Sequence, residues 1–479
     1  MTPLPLLIGG EELAAADGST FESRDPSSGE TIAVLAAGST ADVDAAVAAA
    51  RRAFDGGGSW EVPANRAAVL NRVAVAIRER AEELATLESR DTGKPISQAR
   101  ADAAACARYF EFYAGAADKL DGRSIPLGPG FVDYTVREPW GACAVIIPWN
   151  YPLQIAGRCI AAALAAGNAV VLKPAREAPL TCREIARICA EAGVPAGYLN
   201  VVTGSGEAVG MPLVTHRDVD HVSFTGSAEV GAQIGEACAK LIRPVVMELG
   251  GKGPQVVFAD ADLDRALPFL VRAIVQNAGQ TCSAGARLLA EVPVHAAVVE
   301  RVAERMRALR IGRGLDDPDL GPLISEEQRR GVLERATEAL DAGARLVTGG
   351  RPPKDDALAA GYFLEATLFD DVDPSLAIAR EEVFGPVLVA TSFSSEDEAV
   401  ALANGTPYGL VSAIWTRDLS RALRVAGRIR SGQVFVNTYG AGGGIELPFG
   451  GYRRSGYGRG KGLEGILEYT QVKNVCVAI

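Results

Sequence analysis

Between Ala142 and Leu249, five short and almost uninterrupted apolar runs take turns with longer stretches of helical periodicity, and this alternation limits the possible fold most tightly. The runs are Ala142 to Ile147, Ala169 to Leu172, Leu199 to Val202, His221 to Phe224 and Val245 to Leu249. Leu153 to Ala166, Leu180 to Ala192 and Val230 to Leu241 lie between them. A strand that is apolar on both sides must be covered on both faces, so the pattern predicts a parallel sheet with helices on each side. A second alternation follows Gly250-Gly251, through Gln255 to Phe258, Leu263 to Gln276, Ala286 to Val292, Leu388 to Phe393 and Gln433 to Asn437. The expected fold class is therefore α/β, with two doubly wound parallel-sheet domains.

Ahead of the first run, Ala41 to Phe54, Ala64 to Asp91 and Ile96 to Leu120 space Ala, Leu and Val at helical intervals among Arg and Glu, which predicts amphipathic helices. At about 150 residues per domain, 479 residues suit two or three domains. The divisions fall as 1–120 with 141–249, then 250–453. Segments 121–140 and 454–479 are strand-like outside both patterns, and extended arms of this kind commonly pair with another subunit. A homodimer or homotetramer is expected. The glycine run Gly440 to Gly444 is short enough to be a loop near a site.

The formal net charge of -11 disfavours a nucleic-acid partner, because an acidic surface repels phosphates. The eight cysteines are dispersed without paired C-x-x-C motifs, as in proteins of a reducing cytoplasm. Three histidines, His216, His221 and His295, are too few and scattered for a zinc site or a His-based triad, so no metal is expected. The start MTPLPLLIGGEEL lacks the charged and apolar regions of a signal peptide, and no apolar run nears the roughly 18 residues of a membrane span. The expectation is a cytoplasmic protein with no membrane contact.

Four segments carry chemistry. Cys282, in Gln276-Asn277-Ala278-Gly279-Gln280-Thr281-Cys282, reads as a thiol on a reactive loop opening a helix, whose N-terminus favours thiolate. A cysteine is more often a small buried hydrophobe, and the other seven keep that reading. Glu248 ends an apolar strand just before Gly250-Gly251, where a charge is costly unless paired or functional, and burial would suit it to act as a base. Asn150 is fixed between Pro148 and Pro152 at a strand end, suited to an oxyanion donor or simply to a turn. Phe224-Thr225-Gly226-Ser227-Ala228-Glu229-Val230-Gly231 leaves a strand and opens a helix, where a pyrophosphate can approach. Its glycine spacing departs from G-x-G-x-x-G, and Gly204-Ser205-Gly206 shows how easily glycines imitate such a motif.

Together with Glu381-Glu382-Val383-Phe384-Gly385-Pro386 and Pro448-Phe449-Gly450-Gly451, these segments resemble, in order and context, the aldehyde dehydrogenase superfamily over nearly the whole chain. The resemblance implies a dinucleotide-binding domain (1–120 and 141–249), a catalytic domain with the nucleophilic cysteine (250–453), and oligomerisation segments (121–140 and 454–479). It implies oxidation of an aldehyde to its acid with NAD or NADP. Cys282 attacks the carbonyl, Asn150 and the Cys282 backbone N–H hold the oxyanion, and Glu248 activates water to hydrolyse the thioester. Trp149 and Lys173 approach the adenosine ribose and phosphates, Ser227 the pyrophosphate, and Glu382 with Phe384 the nicotinamide ribose and ring. Ile147, Arg176, Gly206, Phe224, Gly226, Gly231 and Leu249 complete the implied cofactor contacts. Tyr151, Arg158, Gln276, Thr281 and Phe449 are the implied substrate contacts. Sister readings are a coenzyme A-acylating enzyme, which would need no hydrolytic base, and a catalytically silent binding or structural relative.

The chain departs from the superfamily pattern at informative positions. Arg176 stands where NAD-preferring members carry a glutamate for the ribose hydroxyls, and a guanidinium suits a 2'-phosphate, so NADP is expected to serve at least as well as NAD. Cys159 and Gly460 stand where members carry a lysine and a glutamate proposed to relay protons, so Glu248 needs another proton exit. Arg158 matches a position that grips a distal carboxylate in succinic-semialdehyde-type members. Their second arginine is Gln276 here. Semialdehyde acids and aromatic or medium-chain aldehydes both remain open as substrates.

Overall fold

The computed structural model describes residues 1–440 and 444–479. Its first sheet runs Gly456–Tyr457, Val245–Glu248, His221–Thr225, Ala142–Ile146, Ala169–Lys173, Leu199–Val201, Leu6–Ile8 and Glu11–Leu13. The five central strands are parallel and the flanking pairings antiparallel. The second runs Arg345–Thr348, Thr367–Asp370, Val387–Phe393, Arg287–Glu291, Pro254–Val257, Val411–Trp415 and Gln433–Val436, parallel except at Arg345–Thr348. Both sheets are therefore α/β, as the alternation of apolar runs predicts.

In the first sheet, the strand Ala142–Ile146 has Ala169–Lys173 on one side and His221–Thr225 on the other. The chain steps outward in one direction and then resumes beyond its starting strand. At such a reversal the loops leaving the two strands diverge and open a crevice at their carboxyl ends. The loops concerned are 147–151 and 226–227. In the second sheet, Pro254–Val257 lies between Arg287–Glu291 and Val411–Trp415, so the order reverses there too.

Helix Pro152–Ala166 is buried along nearly its whole circumference, which its run of small and aliphatic residues allows. It packs on helix Ile96–Ala116 in the same core as the parallel strands. The expected Ala64–Asp91 helix is two helices, Pro63–Glu79 and Ala81–Thr92, joined at Arg80 with φ -103° and ψ 16°. The apolar period continues across the break, and neither Gly nor Pro marks it.

Phe131–Pro139 pairs antiparallel with Thr470–Ala478 over nine residues, forming a two-stranded ribbon away from both sheets. Val132, Tyr134, Val472 and Val477 are exposed on it. The C-terminal segment is more than an arm, because Gly456–Tyr457 hydrogen-bonds to Val245–Glu248 with Gly456 opposite Glu248. Among the described residues, no helix is long and apolar enough to cross a membrane.

Candidate active site

A cavity of about 1670 Å³ lies where the carboxyl ends of the two sheets face each other. Trp149, Asn150, Tyr151, Arg158, Gly226, Ser227 and Glu248 line it from the first sheet and its helices. Gln276, Thr281, Cys282, Glu382, Phe384 and Phe449 line it from the opposite side. All three expected catalytic residues thus share one space.

Cys282 does not open a helix. Helix Leu263–Val275 ends at Gln276, one turn of 3-10 helix follows over Gln276–Gly279, and Cys282 stands in the turn before strand Arg287–Glu291. Asn277 and Ala278 take left-handed backbone angles, φ 49° and 53°, conformations that side-chain-bearing residues hold only when neighbours fix them. Several hydrogen bonds do so. Asn277 Nδ2 donates to the Asn150 carbonyl at 2.9 Å, Gln280 Nε2 to the Asn277 carbonyl at 3.0 Å, and the Ile324 amide to Gln280 Oε1 at 2.9 Å. A Cβ at Gly251 would meet the Cys282 carbonyl oxygen at 2.4 Å, so only glycine lets the chain after Glu248 run against the cysteine loop.

Without a helix N-terminus, the loss of water around the thiol is offset only in part. Burial pushes Cys282 up to about 12; Glu382 and Glu248 add to the rise, while Arg158 and Lys461 oppose it. The residue is still partly exposed to the cavity. Cys282 thus lacks the helix N-terminus that the sequence reading expected to favour its thiolate.

Glu248 is 3% exposed, and neither carboxylate oxygen has a hydrogen-bond partner among the described residues. Burial raises it to about 7, against the pull of Arg158, Arg459 and Lys461. Gly460 makes this arrangement possible, since a Cβ there would lie 3.0 Å from Glu248 Oε1 and 3.1 Å from Arg158 Cζ. Arg158 Nη2 donates to Thr225 Oγ1 at 3.1 Å. Asn150 is buried, and its Nδ2 donates to the Gln280 carbonyl at 2.9 Å, which aims the amide toward the cysteine loop.

The remaining expected residues divide in two. At the mouth of the first-sheet crevice, Ser227 caps helix Ala228–Lys240 by accepting from the Val230 amide. Trp149 meets Phe384 edge-to-face at 5.3 Å, and burial raises Glu382, which accepts from the Gly251 amide at 2.9 Å, to about 7. Ile147, Lys173, Phe224 and Leu249 are buried at or just beyond strand ends, behind the lining. Lys173 Nζ donates to the Pro174 carbonyl at 3.1 Å. Gly231 lets its helix close on Leu249, and Gly206 starts a single turn capped by Ser205. Arg176 is exposed, its guanidinium 5.2 Å from the Phe21 ring centre. Of the glycine run Gly440 to Gly444, residues 441–443 lie outside the described residues, while Gly440 and Gly444 line the cavity.

Sequence reasoning misses two features. Asn277 and Gln280 brace the nucleophile loop, although their only signal is an amide-rich run beside Cys282. Lys461 also lines the cavity, with Nζ 5.1 Å from the Phe449 ring centre. Its signal is a lone lysine among glycines just after Gly458-Arg459-Gly460.

The aldehyde dehydrogenase family model matches residues 13–475. The betaine aldehyde dehydrogenase of Bacillus subtilis (strain 168) is 42% identical over 478 residues, 98% of this chain and 96% of that protein. A crystal structure from Burkholderia cenocepacia, assigned to the aldehyde dehydrogenases, superposes with a TM-score of 0.97 at 52% identity, covering 99% of each chain. The NAD+ complex of an aldehyde dehydrogenase from Bacillus cereus superposes with a TM-score of 0.97 at 38% identity, covering 100% of this chain and 97% of that one. The order of motifs, the two parallel sheets and these likenesses converge: the chain belongs to the aldehyde dehydrogenase family.

Proposed function

We propose that this protein oxidises an aldehyde to its carboxylic acid with a nicotinamide dinucleotide, through a covalent adduct on Cys282 that Glu248 helps to hydrolyse. The observation that carries this reading is the shared cavity of a partly exposed thiol, a buried carboxylate without hydrogen-bond partners, and the Asn150 amide. Its wide crevice also presents the N-terminus of helix Ala228–Lys240, the edge-to-face pair Trp149 and Phe384, and the partly exposed Glu382. These residues fit a dinucleotide: the helix N-terminus suits a pyrophosphate, and a carboxylate suits ribose hydroxyls. The NAD+ complex of the Bacillus cereus relative supports a nicotinamide dinucleotide as the cofactor.

Cys282 enters as a thiol, and its proton leaves as sulfur bonds to the carbonyl carbon. Glu248, ionised above about 7, is the proton acceptor in the cavity. The Asn150 side-chain amide and the Cys282 backbone N–H stabilise the developing oxyanion. When bound, the dinucleotide supplies the hydride acceptor that turns this adduct into a thioester. Once Glu248 has passed the thiol's proton to solvent, it takes a proton from water as that water attacks the thioester, and returns it to the departing Cys282 sulfur as the acid is released. A buried base is unnecessary for transfer to coenzyme A, so Glu248 favours hydrolysis over that alternative. We assign the homo-oligomer contact to the ribbon of Phe131–Pro139 and Thr470–Ala478, whose exposed apolar residues suit a partner strand or helix.

The test is formation of reduced cofactor across a panel of aldehydes, with NAD+ or NADP+ and with or without coenzyme A. Turnover without coenzyme A supports hydrolytic oxidation. A strict requirement for coenzyme A refutes it.

A further inference from the structure

Glu248 receives the thiol's proton inside the molecule and has to be rid of it before it can act on water. At 3% exposure, the residue has almost no direct path to bulk solvent. It also lines a second cavity, of about 10 Å³, together with Arg158, Cys159, Ser223, Arg459 and Glu468. That space suits about one water molecule. Cys282 does not line it.

The chain at Gly458-Arg459-Gly460 carries a carboxylate at each end. A Cβ at Gly460 would lie 3.0 Å from Glu248 Oε1, and one at Gly458 would lie 3.3 Å from Glu468 Oε1. Glu468 Oε1 also accepts from the Arg459 amide at 3.0 Å, and Trp140 Nε1 donates to the Glu468 carbonyl at 3.0 Å. Glu468 is thereby fixed at the second cavity while staying partly exposed to solvent. A water in this space would face the two Glu248 oxygens, which have no hydrogen-bond partner among the described residues, and Ser223 Oγ, whose own proton points to Cys159 Sγ at 3.9 Å. These are the polar partners that a buried water requires.

Arg158 and Arg459 keep their protons, and burial raises the Tyr469 phenol far above its ordinary value. That leaves Glu248 and Glu468 as the carboxyl groups able to exchange a proton here. Burial raises both, against Arg158, Arg459 and Lys461 at Glu248 and against the amide and charge of Arg459 at Glu468. Their proton affinities are thus shifted in the same direction, which favours transfer between them.

We propose that the proton Glu248 takes from the Cys282 thiol leaves through this second cavity, across a bound water to Glu468 and from there to solvent. Glu248 gives its proton to the water, the water gives one of its own to Glu468, and Glu468 releases it outside. Glu248 is left ionised for the attack of water on the thioester. Glu468 touches neither substrate nor cofactor and acts only as a relay. The route rests on the reading of Glu248 as the base.

The test follows reduced cofactor and, with a pH indicator, proton release by stopped flow in the native protein, Glu468→Gln and Ser223→Val. Glutamine keeps an acceptor for the Arg459 amide but cannot carry the proton. Valine fills the second cavity and leaves both carboxylates in place. In both variants the burst of reduced cofactor should keep its native rate and amplitude. Proton release and hydrolysis of acyl-Cys282 should slow about tenfold, short of the roughly 10²- to 10⁴-fold effect of losing a general base. Concentrated imidazole, a small proton carrier that reaches Glu248 through the large cavity, should restore hydrolysis in Glu468→Gln. Hydrolysis at the native rate in either variant, or a slowing that imidazole leaves unchanged, overturns the proposal. Equal slowing of burst and hydrolysis overturns it too, because that marks a structural role. Absence of a burst and of acyl-Cys282 in the native protein would instead overturn the reading of Cys282 and Glu248 on which the route rests.

Discussion

Replacing Glu248 by Gln removes a buried charge at almost constant volume, and its effect on stability follows from the burial of that carboxylate. Burial raises Glu248 from an ordinary 4.5 to about 7. Between those values the unfolded chain releases its proton while the folded protein keeps it. The folded state therefore binds more protons, and stability falls as pH rises from 4.5 to 7. Below 4.5 the contribution is fully present; above 7 it is lost and the difference stays constant. The interval corresponds to about 3 kcal/mol. Glutamine leaves its own amide without partners, costing roughly 1–3 kcal/mol, but that cost does not change with pH. The expectation is that Glu248→Gln gains about 3 kcal/mol relative to the native protein between pH 4 and pH 8. Urea denaturation of both proteins at the two pH values measures the change. Because Glu382 and Asp91 are also raised, only the difference between the two proteins isolates Glu248. A gap that stays constant with pH would show that Glu248 is solvated, and the argument for it as a tuned base would fail.

Other outcomes follow from the same geometry. Alkylation of Cys282 by iodoacetamide, followed on its own peptide so that exposed Cys476 does not contribute, should accelerate up to about pH 10 without a plateau; a plateau near neutral pH would contradict a resting thiol. Asn150→Ala should slow formation of the covalent adduct roughly 10²- to 10³-fold, measured by single-turnover kinetics, with cofactor binding retained. Hydrolysis of the adduct should speed up as pH rises through about 7, because only ionised Glu248 accepts a proton from water. With Arg176 exposed in the position expected for a 2'-phosphate, kcat/KM for NADP+ should equal or exceed that for NAD+, and Arg176→Glu should reverse the ratio.

The parallel sheets are legible in the sequence because a strand covered on both faces must be apolar throughout, and Ala142–Ile146, Ala169–Lys173 and His221–Thr225 are entirely buried. The short N-terminal strands Leu6–Ile8 and Glu11–Leu13 are not, since three residues carry no period. Cys282, Glu248 and Asn150 are each weak as isolated signals; their common order with Glu382 and Phe449 makes them recognisable. The environment of the thiol is hidden, because glycines beside a cysteine fit a helix start as well as the turn it occupies. Lys461 escapes for a related reason. It reaches the cavity only because Gly456–Tyr457 pairs with the strand ending at Glu248, a pairing of two residues that no sequence pattern announces.

The most direct test of the covalent mechanism is mass spectrometry of Glu248→Gln mixed briefly with an accepted aldehyde and oxidised cofactor. Accumulation of an acyl group on the Cys282 peptide, together with a burst of reduced cofactor matching the enzyme concentration, is the predicted result. Absence of acyl-Cys282, with turnover surviving in Cys282→Ala, would contradict it.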